Sequence, residues 1–257
     1  MTDRAVRFAD HFSGVAEGYA EARPEYPAAL FDWIAAVAPA TAQAWEPGCG
    51  SGQASRGLAA RFGAVLATDP SAAQIARARG PANVRFAVEP GERCSLGDGA
   101  ADAVCVAQAL HWFDRPAFFR ECARVLRPGG ALVAWGYQDI LLPDEVAEAA
   151  RPLLAAIRGD WPAERALVDA GYAGFDWPFE ALPVPAFDLS AEWPLARLLA
   201  YFATFSAVQR HRARTGADPV AVHAPAIAAA WGEAAARTVR WPLFVHARRK
   251  PARRRPG

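Results

Sequence analysis

The sequence predicts an α/β fold, because two different patterns follow one another along its 257 residues. Between about Trp45 and Tyr137, short β-rich runs alternate with helical patterns, as in parallel sheets covered by helices. From Leu141 to Arg237 the pattern is mainly helical and rich in Ala, Pro and Trp. We therefore expect a parallel sheet in the first part of the chain and a helical cap over its carboxyl edge.

The individual elements follow from apolar spacing and from capping residues. The predicted strands are 42–46, 65–68, 84–88, 103–108 and 132–135. The predicted helices around them are 27–38, 53–62, 72–79 and 115–126, of which the last two have Ser71 and Asp114 as N-caps. In the second part, residues 198–210 form the clearest amphipathic helix, and 239–247 alternate like a late strand at the sheet edge, where Pro242 is tolerated.

Composition and charge argue against several classes of protein. A net charge of +1 creates no strong field for nucleic acid or anionic membrane, and no apolar run approaches the about 18 residues that span a bilayer. The first residues lack the apolar core of a signal peptide, and the four cysteines are scattered without metal-ligand spacing. We therefore expect a cytoplasmic protein, monomeric or weakly dimeric, with no metal, nucleic-acid or membrane partner.

The most informative segment is glycine-rich and lies where the first strand should turn into a helix. It reads Trp-Glu-Pro-Gly-Cys-Gly-Ser-Gly-Gln over residues 45–53, and its glycines allow a ligand to approach the main chain closely. Asp69 ends the second strand about twenty residues later, where a carboxylate can hold a ribose diol by two charge-assisted hydrogen bonds. Together these features predict a nucleoside-type site at the carboxyl edge of the sheet.

Three interpretations of this loop remain open on the residues alone. The dinucleotide fingerprint requires G-x-G-x-x-G, whereas Gln53 occupies the last position here and the spacing is Gly48-x-Gly50-x-Gly52. A polar side chain at that point suits an amino-acid moiety better than a pyrophosphate. The loop therefore favours S-adenosylmethionine, with NAD(P) and a purely structural loop as the alternatives.

Further motifs run along most of the chain. They are Tyr-x-x-x-Arg-Pro at 19–24, Asp-Pro-Ser at 69–71, Gln-Ala-Leu-His-Trp-Phe-Asp at 108–114, Arg-Pro-Gly-Gly at 127–130 and Trp-Gly-Tyr at 135–137. With these motifs the sequence resembles class I S-adenosylmethionine-dependent methyltransferases of the methyltransferase-type-11 sort, and more narrowly the trans-aconitate-methyltransferase-like enzymes. The resemblance implies a Rossmann-like three-layer sandwich with a seven-stranded, mostly parallel sheet. It also implies S-adenosylmethionine as cofactor, S-adenosylhomocysteine as product and a small-molecule methyl acceptor.

The resemblance also implies roles for residues of the first half of the site. Gly48, Gly50 and Gln53 would cradle the methionine part of the cofactor, and Asp69 would hold the ribose hydroxyls. Pro70 would pack against the adenine.

Other implied contacts come from later strands and from the N-terminal segment. Gly91 and Glu92 would hold the adenine edge, and Gln108 would lie beneath the sulfonium. Tyr19 and Arg23 would close over the cofactor, where Arg23 could pair with its carboxylate.

Some positions of the site depart from the family pattern. Glu46 stands where Asp is usual and keeps the charge on a longer side chain, and Cys49 is counted among the loop contacts as a small residue that fits. Pro90 replaces an Asp that many relatives have near the adenine. The chain after His246 is longer and more basic than the pattern.

The acceptor pocket is expected to include His111, Trp112, Trp135 and Tyr137. If the acceptor is a phenol or an amine, His111 is the best-placed general base, whereas a carboxylate acceptor needs none. The alternatives are that His111 and Trp112 only close the pocket floor, and that Trp135 and Tyr137 pack in the core.

The expected organisation has five parts. These are an N-terminal helical element at 1–40, the cofactor-binding core at 41–138, a helical cap at 139–237, late strands completing the sheet at 238–247, and a basic flexible tail at 248–257. The preferred function is methylation of a small molecule, either a carboxylate of the trans-aconitate type or a secondary metabolite. A nucleic-acid or protein methyltransferase and a non-catalytic S-adenosylmethionine-binding protein are the alternatives.

Overall fold

A central seven-stranded sheet organises the chain, whose computed structural model describes residues 23–252. The strands are β1 (Gln43–Pro47), β2 (Ala64–Asp69), β3 (Val84–Val88), β4 (Ala101–Ala107), β5 (Leu126–Tyr137), β6 (Glu180–Ala181), β7 (Ser190–Trp193), β8 (Arg237–Arg240) and β9 (Leu243–Arg249). The sheet order is β3-β2-β1-β4-β5-β9-β6, with β1 to β5 parallel and β9 antiparallel to both neighbours. This confirms the predicted seven-stranded, mostly parallel sheet.

The inner strands of this sheet are buried on both faces, as parallel strands covered by helices must be. β1 contains weak β formers, and a side chain from the neighbouring strand supports its start. Asp102 Oδ2 accepts hydrogen bonds from the backbone N–H groups of Ala42 and Gln43, both at 2.9 Å, and Oδ1 pairs with Arg127 at 2.8 Å. This anchor fixes β1 beside β4, and therefore fixes where the glycine-rich loop begins.

Helices cover both faces of the sheet and build the cap. They are α1 (Ala28–Val37), α2 (Gln53–Ala59), α3 (Ala72–Arg77), α4 (Arg115–Val125), α5 (Asp144–Ala156), α6 (Arg165–Asp169), α7 (Leu195–Ala203), α8 (Ser206–Thr215) and α9 (Pro219–Trp231). Short 3-10 helices occur at Leu110–Trp112 and Arg158–Asp160. Both predicted N-caps are confirmed, because Ser71 Oγ accepts from Gln74 N and Asp114 Oδ1 accepts from Ala117 N. No helix within residues 23–252 combines the length and the apolarity needed to cross a membrane.

The cap has a hydrophobic core of its own. Its large members are fully or almost fully buried: Leu198, Phe202, Trp193, Trp231 and Trp241. Tyr137, at the end of β5, belongs to this core as well and connects it to the sheet. Most of the late tryptophans are therefore packing residues of the cap.

The predicted helix 198–210 is wrong as a single element. It is divided between α7 and α8, because Phe205 adopts an extended conformation and buries its ring, while Thr204 Oγ1 donates to the carbonyl of Tyr201. The break lets the chain change direction between two cap helices, which apolar spacing alone does not reveal.

The predicted late strand 239–247 is also divided. β8 pairs with β7 in a separate two-stranded sheet, and only β9 joins the central sheet. Trp241 and Pro242 separate the two strands, where proline lacks the N–H that a ladder needs and Trp241 N donates to the carbonyl of Leu189. Since β6 and β7 also fall within 139–237, the predicted cap segment is not purely helical.

The prediction of a flexible tail is wrong for its first residues, 248–250. Arg248 and Arg249 belong to β9, and Arg249 donates to the carbonyls of Gly129 and Val37. Lys250 Nζ donates to two backbone carbonyls at the carboxyl end of α4, those of Ala123 in its last turn and of Leu126 just after it, both at 2.5 Å. These basic side chains therefore secure the last strand to the body of the domain.

Candidate functional site

The loop after β1 turns back on itself through glycines with positive φ. Gly48, Gly50 and Gly52 have φ of 70°, 55° and 90°. A Cβ at Gly48 would lie 2.6 Å from the Cβ of Ala109, whereas one at Gly50 would meet no atom within 4 Å. The loop is therefore packed tightly on one side and open on the other, so that a ligand can reach its main chain.

Asp69 is held beside this loop by two backbone hydrogen bonds. Its Oδ2 accepts from Gly50 N at 3.0 Å and its Oδ1 accepts from Ser71 N at 2.9 Å, and the side chain is buried. A carboxylate offers about four acceptor positions, and these two bonds orient both oxygens. The glycine loop and the end of β2 are thus joined in one structure, as the sequence predicts.

A cavity of about 930 Å³ opens at this edge of the sheet. Most of the predicted site residues line it: Arg23, Glu46, Gly48, Cys49, Gly50, Gln53, Asp69, Pro70, Gly91, Glu92, Gln108, His111, Trp112 and Tyr137. Pockets for small ligands commonly have about 300–1,000 Å³, so this one can hold a nucleoside-sized molecule together with a small second one. Tyr19 lies outside the described residues.

Trp135 is not part of the cavity, which corrects its assignment to the acceptor pocket. The side chain is 0% exposed and packs edge-to-face against Tyr26 and Phe31, at ring-centroid distances of 5.6 and 6.2 Å. Trp135 and Tyr137 lie on the same face of β5, but α1 covers Trp135, whereas Tyr137 stands at the carboxyl end of the strand, beyond α1. Only the terminal residue of the strand therefore reaches the ligand space.

Glu46 is a buried acid that lines the cavity of about 930 Å³. Its side chain is 1% exposed, and its Oε2 accepts a hydrogen bond from Ser55 Oγ in the first turn of α2. Burial raises the pKa of Glu46 to about 8, against the lowering effect of the Ser55 bond and with a further increase from Asp69. The glycine-rich segment therefore contains a carboxyl group with a pKa near neutral pH, so that a charged group bound next to it can change its ionisation.

Gln108 links the ends of β4 and β5. It has a positive φ of 52°, and its side chain accepts from Tyr137 N at 2.8 Å and donates to Tyr137 O at 3.2 Å. Gly136 makes this possible, because a Cβ there would lie 2.5 Å from Gln108 Oε1. Gln108 thus lines the cavity with its amide group already directed to the backbone of β5.

A smaller cavity of about 100 Å³ lies next to the larger one. Both share the side chains of Arg23, Gln108, His111, Trp112 and Tyr137. The smaller cavity is bordered on its other side by residues of the cap, including Trp161, Arg165, Val168, Tyr201, Phe205 and Ser206. The cap and the carboxyl ends of β4 and β5 therefore border a second compartment.

Arg23 lies where the two cavities meet. Its Nη1 donates to Tyr137 Oη at 3.0 Å, and its guanidinium lies 5.3 Å from the ring centroid of Tyr201. Its backbone carbonyl accepts from Arg197 at the start of α7. This cation therefore joins the N-terminal segment, β5 and the cap at the centre of the site.

Three buried side chains at the site, His111, Cys49 and Tyr201, are neutral near pH 7. Burial lowers the pKa of His111 to about 3, and the nearby Arg165 cation adds to this shift. Burial raises the pKa of the Cys49 thiol and of the Tyr201 phenol. Cys49 is therefore a protonated thiol and not a nucleophile. Within residues 23–252 no cluster of His, Cys, Asp or Glu forms a candidate metal site.

Comparison with known proteins assigns the family. The family model described as a methyltransferase domain matches residues 45–134, which include the glycine loop and Asp69. A solved structure from Anaeromyxobacter dehalogenans, described as a type II methyltransferase, is 43% identical and superposes with a TM-score of 0.83 over 90% of this chain and 99% of that chain. The chain belongs to the class I S-adenosylmethionine-dependent methyltransferases.

Curated relatives of this methyltransferase carry the same general name. A methyltransferase of Dictyostelium discoideum is 36% identical over 133 residues, covering 51% of each chain, and one of Mycobacterium tuberculosis is 36% identical over 131 residues, covering 50% of this chain and 53% of the relative. The chain thus spans about half the length of the curated relatives it matches. A structure from Anabaena variabilis, described as a methyltransferase from an antibiotic biosynthesis pathway, is 17% identical with a TM-score of 0.55 over 86% of this chain and 98% of that chain, and shows the fold alone.

Several site residues of this methyltransferase escape prediction from its sequence. Tyr26 lines the larger cavity and lies two residues after the N-terminal motif at 19–24, so its proximity to that motif was the available signal. Trp161, Arg165, Tyr201 and Phe205 come from the cap, and a weak resemblance to the family runs only through Tyr201–Ser206. Their role depends on contacts between segments that are far apart in the chain.

Proposed function

We propose that this methyltransferase transfers the methyl group of S-adenosylmethionine to a small molecule that presents a carboxylate, held in the smaller cavity beneath the cap. The observation that carries the proposal is the pair of joined cavities, one bordered by the glycine loop and Asp69 and the other by the cap. Two ligands, one in each cavity, can meet where the same side chains line both cavities.

The larger cavity fits the donor in both shape and chemistry. Asp69, with both oxygens oriented, would accept from the ribose hydroxyls, and the open side of Gly50 would leave room for the backbone approach of the methionine part. Glu46 and Arg23 line the same cavity and carry groups complementary to the ammonium and carboxylate of an amino acid. When bound, S-adenosylmethionine supplies an electrophilic methyl group on a sulfonium.

The smaller cavity favours a compact acceptor. A volume of about 100 Å³ admits the reacting carboxylate of an acceptor rather than a large ring system. Its walls are aromatic on the cap side, through Trp161, Tyr201 and Phe205. These walls would orient the acceptor for in-line attack on the methyl group.

The chemistry of the junction favours an acceptor that is already ionised. His111 has a pKa of about 3, and burial raises the pKa of Tyr201, so neither group is suited to remove a proton from a phenol or an amine at pH 7. Glu46 lines only the larger cavity, and Asp139 in the smaller cavity is paired with Arg165. A carboxylate needs no base, and the Arg165 guanidinium in the smaller cavity is complementary to its charge.

Calorimetric titration tests the donor site. S-adenosylmethionine and S-adenosylhomocysteine should bind, with NAD and NADP as controls. Asp69→Asn keeps the shape but removes the charge, and weakening of two charge-assisted hydrogen bonds predicts a Kd about 30- to 1,000-fold higher. Asp176→Asn, at an exposed position, is the matched control. Binding of NAD instead, or equal affinity in Asp69→Asn, would contradict the donor assignment.

A panel of acceptors tests the other half of the proposal. Aliphatic di- and tricarboxylates, with trans-aconitate first, should accept the methyl group in preference to phenols and amines of equal size. Mass spectrometry should locate the added methyl as an ester. Turnover confined to phenols or amines would overturn the carboxylate, while leaving the donor site intact.

A further inference from the structure

Tyr172 supports His111 from inside the protein. It follows α6 and is fully buried, stacked on Phe175 and edge-to-face against Phe244, each at a ring-centroid distance of 4.9 Å. Its Oη lies 2.9 Å from His111 Nδ1. The backbone of Tyr172 has a positive φ of 58°, which is uncommon for a bulky side chain, so the surrounding contacts hold it in place.

The number of donors and acceptors decides which of the two side chains gives the proton. Within the described part of the chain, His111 Nδ1 is the side-chain partner of Tyr172 Oη, and the backbone N–H groups of Leu110 and His111 donate to the phenol oxygen without offering its hydrogen an acceptor. If Nδ1 carried the proton, the buried phenol hydrogen would have no acceptor, and an unsatisfied buried polar group is strongly disfavoured. The phenol therefore donates, and Nδ1 accepts.

The charge state of the ring completes the assignment. Arg165 lines the smaller cavity with His111 and is itself held by Asp139 and Asp169 at 2.5 Å each. The other acidic and basic side chains that line the two cavities with His111 are Arg23, Glu46, Asp69, Glu92, Asp114, Asp139 and Glu164. A buried imidazole beside a cation remains neutral, in agreement with its pKa of about 3, so the ring carries a single proton.

The second ring nitrogen is left for the ligand. His111 lines both cavities, and its Nε2 has no hydrogen-bond partner within residues 23–252. A neutral imidazole that accepts at Nδ1 must carry its proton at Nε2. We infer that Tyr172 is a positioning residue that fixes His111 as an Nε2–H donor, which binds an oxygen of the methyl acceptor and cannot remove its proton.

The consequence for methyl transfer is that no proton passes through His111. The acceptor enters as an anion, its oxygen forms the bond to the methyl carbon, and the carbon–sulfur bond breaks with its electron pair on sulfur. The negative charge of the acceptor and the positive charge of the donor disappear together, so the balance requires no base. The identity of the acceptor rests on the proposed function, whereas the tautomer of His111 does not.

Nuclear magnetic resonance of the protein labelled with ¹⁵N in histidine tests the tautomer directly. The chain has five histidines, and the His111 signals are assigned by their loss in His111→Gln. His246 is an internal reference, because its Nε2 lies 2.7 Å from the carbonyl of Gly171, which can only accept. His111 should show a protonated Nε2 and an unprotonated Nδ1, with no titration between pH 5 and 8. A protonated Nδ1, or titration near the usual value of 6.5, would overturn the inference.

Variants separate positioning from packing. Tyr172→Phe removes the donor to Nδ1, so both tautomers of His111 should appear and the ring should titrate at a higher pH. Phe175→Leu alters the packing around Tyr172 but leaves the phenol, and should keep the single tautomer. A single Nε2–H tautomer in Tyr172→Phe would show that the phenol does not select it.

Kinetics then test the role of Nε2–H. His111→Gln keeps a donor near the Nε2 position, whereas His111→Asn keeps one near Nδ1, so Gln should retain about 10- to 100-fold more kcat/KM than Asn. Affinity for S-adenosylmethionine should be the same in both, and the wild-type kcat/KM should show no titration between pH 5 and 8 due to His111. Equal losses of kcat/KM in His111→Gln and His111→Asn would overturn the donor role. Absence of turnover in the wild type would count against the proposed function, while the result on the tautomer would stand.

Discussion

Replacing Glu46 with glutamine should stabilise the cofactor-free protein, by an amount that increases with pH. The buried Glu46 has a pKa of about 8, against a usual value of 4.5. Because the folded-state pKa is the higher one, the folded state binds a proton that the unfolded state has released. Its contribution to stability is complete below pH 4.5 and is lost as the pH rises through 8.

The magnitude follows from the shift. One pKa unit corresponds to about 1.36 kcal/mol, so the free energy of unfolding should lose about 3–4 kcal/mol from this group between pH 5 and 8. Glutamine has the same length, carries no charge at any pH and can still accept from Ser55 Oγ. The difference between Glu46→Gln and the wild type should therefore grow by about 1.4 kcal/mol per pH unit in this range.

Urea unfolding at half-unit steps from pH 5 to 9 measures this difference, with the m-value as a check that the transition stays the same. Glu233→Gln, at an exposed position after α9, is the matched control and corrects for the loss of one surface charge. Subtracting the wild-type curve removes the contributions of all other titrating groups. A difference that is constant with pH would refute the reasoning, since it would mean that Glu46 is ionised to the same extent in both states.

Two further predictions concern the ends of β4 and β5. His111 has a pKa lowered from 6.5 to about 3, so it contributes stability above pH 6.5 that is lost as the pH falls towards 3. In His111→Gln the free energy of unfolding should therefore decrease less than in the wild type between pH 6.5 and 3. An equal decrease in both proteins would contradict the neutral ring. Gly136→Ala would place a methyl group 2.5 Å from Gln108 Oε1, which should cost about 1–3 kcal/mol and lower Tm by several degrees in calorimetry. Gly97→Ala, where a Cβ meets no atom within 4 Å, is the control, and equal Tm values for the two variants would disprove the clash.

The local parts of the site could be predicted because short-range chemistry defines them. Gly48, Gly50 and Asp69 belong to a strand–loop–helix unit and to the next strand, and their spacing alone places them at one edge of a parallel sheet. The N-caps Ser71 and Asp114 were predictable for the same reason, since each acts on a backbone N–H three residues later.

The role of Trp135 could not be derived from its position on a strand. Alternation along β5 places Trp135 and Tyr137 on the same face, but it does not show where a covering helix stops. In the structure α1 supplies Phe31 against Trp135, and the chain before α1 supplies Tyr26 between Trp135 and Tyr137. A neighbour about one hundred positions away thus separates a core residue from a pocket residue.

The cap explains why the acceptor is harder to predict than the donor. The larger cavity is lined mainly by residues at the carboxyl ends of the parallel strands, whereas the smaller cavity also takes Trp161 from one segment of the cap and Tyr201 and Phe205 from another. These segments share a hydrophobic core that is distinct from the two cores on the faces of the sheet. Substitutions in the cap can therefore reshape the acceptor compartment without moving Asp69 or the glycine loop. Substitutions in the cap should accordingly change the choice of acceptor while binding of the donor is retained. For the same reason, the motifs of the sheet identify the family, whereas the acceptor has to be inferred from the geometry of the smaller cavity.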